Sequence, residues 1–170
     1  MDPIFERFLR ESWHNAKSLA DGSDVVELVP FGDPPHAVVA QFHANCYVKT
    51  PQGTALHFGF TVGYRFPENY LNLALPWEVM HFLAPATVWH PNIRVNAICL
   101  GTGLQPGTEL RELLFRTYEL VTFQRRSQPA DPLNAEAAAW VRRNWPVQPA
   151  DSRPLKWRAT NSVESLGSAR

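Results

Sequence analysis

At 170 residues and 45% hydrophobic composition, the chain has the size of one domain and enough apolar mass for a core without metals or disulfides. Sixteen basic and sixteen acidic residues cancel, so net charge makes no case for nucleic acid or an anionic membrane as partner. No apolar run approaches the roughly 20 residues that span a bilayer, and acids and arginines interrupt MDPIFERFLRESW where a signal peptide needs an apolar segment. These features predict a soluble, cytoplasmic protein.

In the opening segment Phe5, Phe8, Leu9, Trp13 and Ala16 recur at the helical period and predict an amphipathic helix. Arg7, Arg10, His14 and Lys17 form a basic stripe roughly opposite, which by default is a solvated face. Asp21-Gly22-Ser23 ends the helix with turn residues. Three strands are predicted next, Val25–Phe31, Ala37–Val48 and Ala55–Phe66, joined through the turn signals GDPP and TPQG. Such short connections predict an antiparallel meander, with a fourth, shorter strand over Glu78–Leu83.

Cys46 alternates with the apolar set Phe42, Ala44 and Val48, so it is expected to face the core as a small hydrophobe. The cysteines show no Cys-x-x-Cys or Cys/His spacing suited to zinc, and no metal or other cofactor is expected. A disulfide to Cys99 stays open on spacing alone. After the fourth strand, 84–108 is rich in Pro, Asn, Gly and Thr and predicts little regular structure. Two helices then close the domain. Thr108 is expected to cap the first, which buries Leu110, Leu113, Leu114, Tyr118 and Val121; Asn134 is expected to cap the second, Ala135–Asn144, with Ala137, Ala138 and Val141 on one face. From Trp145 onward the composition turns to Pro, Ser, Arg and Asn, predicting a mobile extension over 147–170 behind a domain of 1–146. The fold class is α+β: helix, four-stranded meander, irregular segment, helices.

The irregular segment holds HPNIRVNAICL, residues 90–100, and a second block, PADPLNAEAAAWVRRN, spans 129–144. In this order the two resemble the ubiquitin-conjugating enzymes, carriers that hold a ubiquitin-like protein as a cysteine thioester. FPENY (66–70) and Pro76, Val79 and Phe82 follow the family more loosely. The resemblance runs from the first helix to about Asn144 and implies the UBC-like fold. The loop from Asn92 to Cys99 is one residue shorter than is usual there, Asn96 stands where the family has Gly, and Gly101-Thr102-Gly103 replaces an acid and a Trp. This divergence, with thirteen Arg against Lys17, Lys49 and Lys156, is similar to that of the bacterial members encoded in antiphage defence operons.

The resemblance implies roles residue by residue. Cys99 would be the thioester-forming nucleophile, accepting the modifier from an activating enzyme and passing it to a target lysine. On local sequence, a buried structural cysteine between Ile98 and Leu100 fits equally well. Asn92 would stabilise the oxyanion or simply hold the loop, and His90 and Pro91 would shape the segment. Asn96 would tolerate the positive φ of the missing glycine. Asp131 would orient the incoming lysine and help deprotonate it, against the plain reading of a turn residue before Pro132. Arg7, Arg10 and Lys17 match the family's dock for the activating enzyme. Two other readings remain: a non-catalytic module on the same fold that binds a ubiquitin-like protein, and an unrelated thiol enzyme.

Overall fold

The computed structural model describes residues 1–101, 103–125 and 130–155. Helix α1 spans Pro3–Asp21. Its N-cap is Asp2, whose Oδ1 accepts the Ile4 and Phe5 amides at 2.7 and 3.3 Å, and Pro3 needs no partner for a missing N–H. Phe5, Leu9, Ser12, Ala16 and Leu19 form the buried face. Strands β1 (Val26–Phe31), β2 (Ala37–Thr50) and β3 (Gly53–Arg65) make the expected antiparallel meander.

The fourth strand starts later than its apolar residues suggest. Pro76–Val79 forms one helical turn, α2, because Pro76 at its first position fixes a helical φ. Strand β4 is then Met80–Ala84 and pairs with β3. Two short strands lie inside the segment expected to be irregular: β5, Ile93–Arg94, and β6, Ala97–Ile98. The antiparallel sheet therefore has six strands, in the order β1-β2-β3-β4-β6-β5.

Helix α3 (Leu110–Val121) and helix α4 (Ala135–Arg143) follow. Leu110, Leu113, Leu114, Tyr118 and Val121 are all buried, as their spacing predicts. Thr108 does not cap α3: its hydroxyl donates to the Gln105 carbonyl at 2.7 Å. The first amide of the helix, Leu110 N–H, instead donates to Ser12 Oγ of α1 at 2.8 Å. A tertiary acceptor thus replaces the local one, and Ser12, polar within an apolar stripe, is buried for that reason. Asn134 does cap α4, accepting the Ala137 amide at 3.0 Å.

The main core lies between one face of the sheet and helices α1 and α3, while Val141 of α4 packs in a separate cluster with Phe123 and Val147. Phe42 stacks on Phe60 with ring centroids 4.6 Å apart and reaches Tyr118 of α3 at 6.0 Å. Phe8 of α1 closes one end against Phe66 and Tyr70. Cys46 belongs to this core as expected, and burial raises its thiol pKa to about 12, leaving it inert.

The expected boundary at 146 does not mark the end of the packed chain. Val147, Ala150, Asp151 and Leu155 are buried. Asp151 Oδ2 accepts the Asn45 amide at 3.1 Å, and the Ala150 amide donates to the Thr122 carbonyl at 2.8 Å. The remainder of the expected extension, with Lys156, lies outside the described residues. Among the described residues, no helix is long and apolar enough to cross a membrane.

Candidate functional site

The HPN turn is held from three sides. The His90 ring is buried and packs on Phe123 with centroids 4.3 Å apart. Its Nδ1 accepts the Asn92 amide at 3.0 Å, so the ring is the neutral tautomer with its proton on Nε2. Burial pushes its pKa down to about 3, outweighing a backbone hydrogen bond at Leu120 that favours the charged form. From below, the Pro91 carbonyl accepts the Asn134 amide at 3.0 Å. That bond docks the DPLN block against the turn, so the two motifs, distant in sequence, meet. Behind it, the Trp89 amide donates to the Tyr47 carbonyl at 2.7 Å and the Lys49 amide to the Thr87 carbonyl at 2.8 Å.

Asn92 and Cys99 are tied to each other twice. The Cys99 amide donates to the Asn92 carbonyl at 2.9 Å, and Asn92 Nδ2 donates to the Cys99 carbonyl at 2.8 Å. Ile98 and Leu100 point inward and are buried, while Cys99 between them is exposed. Two apolar anchors and two hydrogen bonds thus fix the backbone of a cysteine whose thiol faces solvent. The structural-cysteine reading fails on this exposure, and neither cysteine is in a disulfide. Asn92 itself is buried, and its Oδ1 has no hydrogen-bond partner among the described residues. Leaving such an acceptor unpaired costs about 1–3 kcal/mol.

Asn96 does not take up the positive φ expected of it. The two-residue turn between β5 and β6 is Val95-Asn96, and the left-handed residue is Val95, at φ 56°. The Asn96 carbonyl is occupied, accepting the Phe82 amide at 2.9 Å, which ties the turn to β4. A β-branched residue in this region costs roughly 1–2 kcal/mol. Val95 is 82% exposed and offsets none of that by burial. Val95→Gly should therefore stabilise the protein by about 1 kcal/mol despite the entropy of glycine, read as a rise in Tm of roughly 2–4 °C. An unchanged or lower Tm would contradict the strain. Gly101, at φ 80°, follows Cys99, and a Cβ there would lie 3.9 Å from Asn92 Nδ2. Glycine suits that backbone.

Asp131 is exposed and makes no hydrogen bond or ion pair among the described residues. The Pro91–Asn134 bond places its block beside the turn, but no hydrogen bond joins Asp131 to Cys99. The basic stripe on α1 is partly neutralised. Arg10 pairs with Glu6 at 2.9 Å and with Asp33 at 3.2 Å, and Lys17 pairs with Asp21. Of the three expected docking charges, Arg7 alone has no ion pair among the described residues.

Sequence reasoning missed Phe123, which supports His90 from a φ of 59°, and no local pattern marks it. It also missed Val95, for which the replaced glycine was the available signal, off by one position. Among the described residues, no group of three or more His, Cys, Asp or Glu could hold a metal. Comparison with protein-family models gives no match to this chain, and comparison with curated proteins gives none either.

Proposed function

We propose that the chain is a ubiquitin-conjugating-like carrier with the UBC-like fold, which holds a ubiquitin-like protein as a Cys99 thioester and transfers it to a lysine amine. The observation that carries this reading is the exposed Cys99 thiol on a backbone locked to Asn92 by two hydrogen bonds. Transthioesterification is nearly balanced, so an accessible thiolate matters more than a strongly basic partner. Sγ attacks the activating enzyme's thioester carbonyl and expels that enzyme's thiolate. A lysine amine then attacks the new thioester, and the Cys99 thiolate leaves. Each attack makes an oxyanion. A side-chain amide has two N–H donors; one of Asn92 is held by the Cys99 carbonyl, and the other is the candidate stabiliser. Asp131, exposed at the edge of the DPLN block, would receive the proton of the incoming amine.

The geometry argues against a thiol hydrolase. Such an enzyme needs an imidazole that takes and returns a proton beside the thiol. His90 is sealed away, with Nδ1 occupied by a backbone amide and its pKa near 3. By resemblance the partners are an activating enzyme, a ubiquitin-like protein and a target lysine, in the cytoplasm of a bacterium and in antiphage defence.

The test mixes the protein with an activating enzyme, ATP and a ubiquitin-like protein from the same gene neighbourhood. A reductant-sensitive adduct should form with wild type and with Cys46→Ala but be lost in Cys99→Ala. Asn92→Ala and Asp131→Ala should charge yet discharge to free lysine more slowly, by about 10²-fold or more for the oxyanion donor. Charging that survives Cys99→Ala would end the proposal.

A further inference from the structure

Among the described residues, the distal half of β3 is an unpaired sheet edge. On one side Gly53–Phe58 pairs with Asn45–Thr50 of β2; on the other, β4 reaches only Thr61–Tyr64. The direction of the backbone groups follows from β2. Tyr47 and Lys49 direct their main-chain groups at Trp89 and Thr87, and the Asn45 amide meets Asp151, all away from β3. In an antiparallel ladder the residues opposite them are then the non-hydrogen-bonded partners. Those residues are Thr54, Leu56 and Phe58, so their N–H and C=O groups face outward. Among the described residues nothing bonds them. Leu56 and Phe58 are 56% and 63% exposed.

We infer that this edge pairs with the same edge of a second copy, antiparallel, about a two-fold axis at Leu56. Outward groups at every second residue make the edge self-complementary. Leu56 meets Leu56 of the partner copy, Thr54 meets its Phe58, and Phe58 meets its Thr54, each as a hydrogen-bonded pair exchanging two bonds. The Leu56 and Phe58 side chains of both copies then gather on the face that carries Tyr47, Leu56's partner in β2. Charge does not oppose this. Residues 53–59, GTALHFG, contain no Asp, Glu, Lys or Arg, so no like charges meet. The strand also lacks the lysine or proline that commonly protects such an edge. A single strand pair with these side chains falls below the roughly 1,200 Å² of a stable interface, so the dimer is a weak one that forms with concentration.

Sedimentation velocity on the full chain, from about 5 to about 500 µM, covers the range of weak interfaces. Wild type should pass from monomer to dimer. Leu56→Lys and Leu56→Glu should each stay monomeric throughout, because like charges meet on the axis. An equimolar mixture of the two should dimerise again, since only a register that sets 56 against 56 pairs the opposite charges. Three results would overturn the proposal: a monomeric wild type, a dimer that survives Leu56→Lys, or a mixture that remains monomeric. A monomeric full chain together with a dimeric chain cut after Leu155 would also overturn it, by assigning the edge to the chain's own C-terminal segment.

Discussion

A chain cut after Pro146 should lose roughly 5 kcal/mol of stability, about 1.5–3 for each of the buried Val147 and Leu155 side chains and more for the polar contacts. The buried contacts around Asp151 account for the second part. Asp151 accepts the Asn45 amide and holds the Arg153 guanidinium at 2.9 Å. Arg153 also donates to the His43 carbonyl, while its own carbonyl accepts the Tyr118 hydroxyl at 2.6 Å. Removing the segment exposes the outer edge of β2 at His43 and Asn45 and leaves the Asn45 amide without its acceptor. Against a total of about 5–15 kcal/mol for a domain, the shortened chain should show a urea midpoint less than half that of the full chain, or no cooperative transition. A chain cut after Leu155 keeps these contacts and should unfold close to the full-length midpoint. Equal midpoints for the two truncations would show that the segment contributes nothing.

Acid should destabilise the protein well above the usual carboxylate range, and His90 is the cause. Its folded pKa is about 3, whereas an unfolded histidine titrates near 6.5. Between these values the unfolded chain binds a proton that the folded chain does not. Stability from the neutral ring is therefore complete above about pH 6.5 and falls as pH drops, by about 1.4 kcal/mol per unit. Asp151, whose pKa burial raises but the Arg153 and Asn45 hydrogen bonds and the Arg153 charge lower on balance, contributes only at lower pH, below most of the range in which the histidine acts. Urea unfolding at pH 7, 5.5 and 4.5 isolates the histidine. His90→Asn should be less stable at pH 7, having lost the ring's packing on Phe123, but should show a slope shallower by one proton. A variant with the wild-type slope would assign the acid sensitivity to another group.

What the sequence made legible was local. The Leu110–Val121 face, the Asn134 cap and the inward Cys46 each follow from residues within one or two turns of one another, and the structure repeats them. What it hid was supplied from afar. Thr108 resembles a cap for α3 because the acceptor that replaces it, Ser12, lies 98 positions before the Leu110 amide it receives. The 147–155 segment carries no periodic pattern because it is held by scattered anchors, from Tyr118 and Thr122 back to His43 and Asn45. In the site, the His-Pro-Asn and Ile-Cys-Leu residues were visible, but the left-handed residue fell on Val95 rather than Asn96, since only the turn register decides between them. The basic stripe on α1 follows from helical spacing, whereas its neutralisation by Glu6, Asp21 and Asp33 depends on side-chain pairing, in the case of Asp33 across the fold.

The bulge in the β2–β3 hairpin misleads the eye most. Leu56, Phe58, Phe60, Val62 and Tyr64 alternate without a break and read as one buried face. The pairing slips between Phe42 and Asn45, and Gly59 absorbs the change at φ 91°. Beyond it Phe58 pairs with Asn45 and Leu56 with Tyr47, on the side opposite Phe42, Ala44 and Cys46. One glycine thereby divides a single strand into two jurisdictions. The near half answers to the core, where a lost methylene is felt at once. The far half answers only to its surroundings, so its residues are open to change at little cost to folding. Selection, or a protein engineer, can rewrite the company this hairpin keeps without touching the fold that carries it.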